Sequence, residues 1–167
     1  MESSKKLLDR TLEVICVVLF AALVLVVVWQ VFTRQVLDQP SSWSSTLARY
    51  IFVWLGLGGA ALVFGERGHI AVDFVVRKLP DSLEKAIAVL VQVIIAVFSA
   101  IILVWGGYRV ALQSWEQALS GLPLSVGPLY LAMPVAGVLI IIYALYHSIE
   151  VLRRHEPPVA HDEPEAV

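Results

Sequence analysis

Apolar positions in this chain neither alternate nor mark one face of a helix. They run unbroken. Four stretches lack Asp, Glu, Lys and Arg: Val14 to Phe32, Tyr50 to Gly65, Ile87 to Tyr108 and Val126 to Ile149, of 19, 16, 22 and 24 residues. A helix rises about 1.5 Å per residue, so roughly 20 residues cross a hydrocarbon core about 30 Å thick. The first, third and fourth runs fit directly. The second fits if it begins near Leu47 and Arg49 snorkels to the interface. The pattern predicts an all-α integral membrane protein with four transmembrane helices over about 12–34, 47–65, 84–110 and 126–150. Together they form a membrane domain over 1–152, followed by a disordered cytoplasmic tail over 153–167 that contains Pro, Glu and His. The first run is read as an uncleaved span, because no small-x-small cleavage site follows it around Trp29–Arg34.

The connections add detail. Between the first two runs, Pro40 stops a helix, and a serine after it suits a new N-cap. Trp43, Leu47, Tyr50 and Ile51 then form an apolar stripe. It has two readings: a short helix lying in the membrane interface, or the first turns of span two. Between runs three and four, Gly121 ends a helix and Pro123 excludes one. Within run four, Pro134 is expected to bend the helix by removing a backbone hydrogen bond. Gly56 to Ala61 gathers small residues that let another helix approach closely, either within the four-helix unit, the expected use, or from another subunit. Gly59, inside that patch, is expected to tolerate a large side chain less well than Ser99, which has no such neighbours.

Composition agrees with lipid as the solvent: 59% hydrophobic and 16% charged residues, with a mean hydropathy of +0.80. Charge decides orientation. Nine of the twelve Lys and Arg lie at the N-terminus, around 66–85 and at the C-terminus, against Arg34, Arg49 and Arg109 on the other side. The bias predicts cytoplasmic termini. A net charge of −2 without a basic block excludes nucleic acid as a partner. The single cysteine, Cys16, excludes an internal disulfide and reads as a packing or lipid-facing residue.

Candidate chemistry is sparse. The polar residues within the runs include Gln30, Gln92, Ser99 and His147, with no charge near a midplane where coupled carriers bind their ions. There is no internal repeat. A stand-alone carrier or channel would need polar pore-lining faces, and a haem-binding or other membrane enzyme would need paired histidines or clustered catalytic groups within the spans. His69 and Asp73 stand four apart, which suits a hydrogen-bonded pair; with Glu66 they make only a weak metal set. No catalytic residue, substrate-binding residue, metal or cofactor is assigned. The tryptophans near span ends read as an aromatic belt.

Three segments point to a family. Trp43 to Leu55, the pair Gly59-Ala60-Ala61 and Gly68-His69-Ile70-Ala71-Val72-Asp73, and Gly127 to Gly137 resemble the small permease subunit of TRAP transporters, the DctQ type of the tripartite ATP-independent periplasmic systems. The likeness covers roughly residues 7 to 152. In one place the chain departs from the family: Ser45 and Thr46 stand where one or two acidic residues usually follow the tryptophan that matches Trp43. The resemblance implies a non-enzymatic scaffold in the bacterial inner membrane, without a substrate site of its own. Its expected partners are a large M-type permease subunit that imports an organic acid with Na⁺, a periplasmic P-type binding protein that delivers it, and membrane lipid. Interface or structural roles are expected at Trp43, Arg49, Tyr50, Trp54, Gly59, Gly68, His69, Asp73, Tyr130 and Pro134.

Overall fold

The computed structural model describes residues 2–66, 81–119 and 121–153. Helix α1 covers Glu2–Gln35 and α2 covers Ser42–Gly65. Helix α3, Asp81–Phe98, continues without a break into a π-helical segment, Ser99–Gly106, and then into α4, Gly107–Gln113. A short helix α5, Gly127–Tyr130, leads into α6, Ala132–Arg153. Among the described residues, four helical stretches are long and apolar enough to cross a membrane: Lys5–Gln35, Ser42–Gly65, Lys85–Gln113 and Gly127–Leu152.

Helix α1 begins about ten residues before the span expected from hydropathy. Its first turns are polar but well paired for a helix: Lys5 and Asp9 lie 3.4 Å apart at i, i+4, and Arg10 and Glu13 the same distance at i, i+3. Further along, Val17, Val18, Phe20, Leu25, Val28 and Val31 are all exposed. A helix apolar all round with its side chains exposed is stable only in hydrocarbon. Three residues past the end of α1, Asp38 turns the chain in the left-handed region, at φ 51°, which aspartate tolerates better than most residues.

Of the two readings of the stripe after Pro40, the structure has the second. Trp43 to Ile51 are the first turns of one continuous helix, α2, and no separate interfacial helix stands between α1 and α2.

Packing is uneven. Helix α6 contacts α2, α3 and the π segment, whereas the backbone of α1 approaches only α2 among the described elements. The buried core is small: Leu12, Ala61, Ile140 and Tyr143, with Leu8, Leu62, Phe64, Ile95, Leu103 and Leu139 packed against it. Lipid-facing surface replaces water-facing surface, so a large core is not required.

Candidate functional site

Among the described residues, the feature that bears on function is the way the helices are held together. Three devices do this.

The first is a glycine-lined seam between the third and fourth spans. A Cβ at Gly137 would lie 2.7 Å from Leu103 Cβ and 3.2 Å from the Val104 backbone nitrogen. A Cβ at Gly107 would lie 2.6 Å from Met133 Cβ and 2.9 Å from Pro134 Cδ. Each glycine thus lets the facing helix approach where a methyl group would collide. The seam coincides with the π segment, in which the Gly107 amide reaches the Ile102 carbonyl five residues back. π segments are rare and alter which side chains face a neighbour. Here the change brings Leu103 and Val104 onto Gly137 and buries Ser99, which is 1% exposed. Sequence places Gly59 in closer packing than Ser99; within this chain Ser99 is buried and Gly59 faces open space.

Pro134 takes part in the same seam. The helix is interrupted at Leu131, between α5 and α6, one residue beyond the Tyr130 carbonyl that the missing Pro134 amide would have engaged. The break thus falls upstream of the proline, in the turn its ring crowds. Tyr130 is the last residue of α5 and is half-buried.

The second device is a polar cluster where the start of α1 meets the ends of α2 and α6. The Tyr143 hydroxyl donates to Asp9 Oδ1 at 2.6 Å, and Asp9 also pairs with Lys5. The Tyr143 ring lies against Gly65, where a Cβ would come within 2.7 Å of it. Buried His147 donates from Nε2 to the Gly65 carbonyl at 3.1 Å, satisfying one of the free carbonyls at the C-terminus of α2. Its Nδ1 lies 3.8 Å from the Glu150 carboxylate. Lys5 stands 5.7 Å from the centre of the Tyr146 ring, within cation–π range.

The third device closes the opposite end. Tyr50 donates to the Ser125 carbonyl at 2.8 Å, tying α2 to the entry of the fourth span. Gly121, at φ 83°, packs on the backbone of Ser42 and Trp43, a position that needs both the conformation and the absence of a side chain. Ser44, fully buried, bonds the Ser41 carbonyl and hydroxyl, and Thr33 reaches the same Ser41.

These devices take up some of the sequence candidates and leave others outside. Tyr50 and Pro134 hold helices together. Trp43 lies beside Gly121 yet remains partly exposed, and Arg49 is exposed. Trp54 lines a cleft between α1 and α6. The patch Gly56 to Ala61 divides: Ala61 is buried in the core and Gly58 faces Cys16 of α1, as expected of packing inside the four-helix unit, whereas a Cβ at Gly56 or Gly59 would meet nothing within 4 Å. Phe52 and Val63, on the same side of α2, are 63% and 56% exposed. Gly68, His69 and Asp73 lie outside the described residues, as does the tail from 154 onward. Sequence reasoning missed Asp9, Gly65, Gly107 and Tyr143 as packing residues. Asp9 and Tyr143 are 134 positions apart, and nothing local signals that pairing.

Residues 23–154 match the family described as tripartite ATP-independent periplasmic transporters, DctQ component. The chain is 31% identical over 137 residues to the sialic acid TRAP transporter small permease protein SiaQ of Vibrio cholerae, covering 82% of this chain and 79% of that one. It is 28% identical over 142 residues to a putative TRAP transporter small permease protein of Haemophilus influenzae, covering 84% and 86%. A shorter stretch of 79 residues, 47% of this chain, is 30% identical to 13% of the sialic acid TRAP transporter permease protein SiaT of Haemophilus influenzae.

Proposed function

Because the chain belongs to the DctQ-component family of tripartite ATP-independent periplasmic transporters, as a small permease subunit, we propose that it is the non-enzymatic membrane scaffold of a Na⁺-coupled importer of an organic acid. In this reading it sits in the inner membrane with both termini in the cytoplasm and the tail beyond 153 on that side. It binds a large permease subunit, which carries substrate and Na⁺. The complex receives substrate from a periplasmic binding protein. The orientation is supported by nine of the twelve Lys and Arg lying at the N-terminus, around 66–85 and at the C-terminus. An acid as substrate is supported by the sialic acid transporters among the similar proteins, and Na⁺ coupling by the family resemblance.

The observation that carries the scaffold role is where the polar groups are spent. Asp9, Tyr143, His147 and Tyr50 bond other parts of the same chain near the span ends. The middles of the spans carry no charged residue, and the seam between spans three and four is packed to the point of excluding a methyl group. Such a unit resists deformation and offers outer faces to a partner. The outer face of α2, with Phe52, Gly56, Gly59 and Val63, is where we assign contact with the large subunit, since small residues let a second helix come close.

Affinity purification of the tagged chain from its own host tests this. The expected result is stoichiometric recovery of a large multi-span permease, reduced several-fold by Gly59→Leu. Recovery of the chain alone under mild detergent would contradict the reading.

A further inference from the structure

A cleft of about 200 Å³ runs between α1 and α6, floored by Trp54 and Gly58 of α2. Along α1 its wall is Leu8, Leu12, Ile15 and Leu19, and along α6 it is Val135 and Leu139. Thr11 also lines it, but its hydroxyl already donates to the Leu7 carbonyl at 2.8 Å. The lining therefore offers almost nothing to a polar ligand. Beyond the side-chain contacts of Asp9 and Leu12 with Tyr143, the backbone of α1 approaches α2 and not α6, which leaves this cleft between them.

We propose that this cleft is a phospholipid site that holds one acyl chain, with the phosphate beside Lys5. Three observations fix the occupant. From Leu8 to Leu19 the cleft follows α1 for about 16 Å at 1.5 Å per residue, close to half of a roughly 30 Å core, the depth of one leaflet. Its volume exceeds that of an apolar cavity known to hold benzene, about 150 Å³, yet is far too narrow for a helix about 10 Å across. Charge complements a lipid at the polar end. Lys5 lies one turn above Leu8 on the same face of α1; its ammonium has three donors, of which Asp9 takes one, and it also lies over the Tyr146 ring. Lys6 adds positive potential on the neighbouring face, whereas Arg10 is paired with Glu13. The lipid would fill the gap that α1 leaves against α6 and make α1 part of the rigid unit. The assignment does not depend on which large subunit is bound.

The test uses the complex with its large permease in nanodiscs that contain phosphatidylglycerol or phosphatidylcholine with a photoreactive acyl chain. After irradiation, labelled peptides are mapped. Labelling is expected to concentrate on residues 8–19 and 132–139, to be stronger with phosphatidylglycerol, and to fall several-fold in Gly58→Leu and in Val135→Phe, two independent ways of filling the cleft. Lys5→Gln is expected to remove the preference for phosphatidylglycerol while leaving acyl labelling in place. Equal labelling of the cleft and of the exposed α3 face around Leu90, Ile94 and Val97, unchanged in both filled variants, would overturn the site as bulk lipid. So would efficient cross-linking of the single cysteine, Cys16, to the large subunit, since a partner would then occupy the cleft.

Discussion

The seam between the third and fourth spans and the outer face of α2 both contain glycines, and they use them in opposite ways. At the seam, single glycines sit opposite bulky residues: Gly137 under Leu103 and Val104, Gly107 under Met133 and Pro134. On α2 the contiguous small patch, Gly56 and Gly59, faces open space, while its neighbour Gly58 touches only Cys16, 3.6 Å away. Only one side of that run, Gly58 and Ala61, marks an internal contact, and Gly56 and Gly59 do not. The isolated glycines of the seam do, because a close approach of two helices needs one missing side chain per crossing turn and a large partner to fill the gap. The run left open is the one free to receive a second protein.

That contrast is most sharply broken by Gly137→Leu. A side chain there meets atoms on Leu103 and Val104 at less than van der Waals distance, and overpacking of this kind costs about 3 kcal/mol. The variant is expected to lose most of its monodisperse yield and to unfold early in a detergent-denaturation titration of the isolated chain. Ser99→Leu, at a buried position beside the seam, is expected to cost about 2 kcal/mol by the same route. If both behave like wild type, the seam does not hold the fold.

Tyr143→Phe probes the polar cluster. It removes a 2.6 Å bond to a carboxylate and leaves Asp9 without that donor, an expected loss of about 2 kcal/mol in the same titration. Tyr50→Phe removes one bond to a carbonyl at the other end, with an expected loss of about 0.6–1 kcal/mol. Gly59→Leu should change the stability of the isolated chain least, by less than about 0.5 kcal/mol, because nothing occupies the space beside it. Its effect should appear only as weaker recovery of the large subunit. A loss comparable with that of Gly137→Leu would erase the distinction between the two glycine regions.

Much of the architecture was legible in the sequence because the bilayer imposes it. Four charge-free runs of spanning length leave few alternatives, and Pro40 and Gly121 both lie in connections between spans, although the helix before Gly121 already ends at Gln113 and not at the glycine. Continuity was harder to read. Trp43 to Ile51 fits an interfacial helix or a span start equally well, since both place an aromatic stripe at the same depth. The π segment leaves no mark in Ser99–Gly106, a run of ordinary apolar residues; its register follows from what Gly137 requires across the seam. Tyr50 and Pro134 were found from family likeness and backbone chemistry. Asp9 and Tyr143 were not, because a hydrogen bond between the first and last spans has no local signature.

In the proposed role this chain organises a transporter and does not itself transport. Proteoliposomes containing the chain alone, the chain with its large permease, or both with the periplasmic binding protein, measured for Na⁺-gradient-driven uptake of radiolabelled sialic acid and C4-dicarboxylates, test it directly. The account predicts no saturable uptake by the chain alone, and uptake of an acid only when the large subunit and binding protein are present. Saturable, gradient-dependent uptake by the chain alone would contradict it.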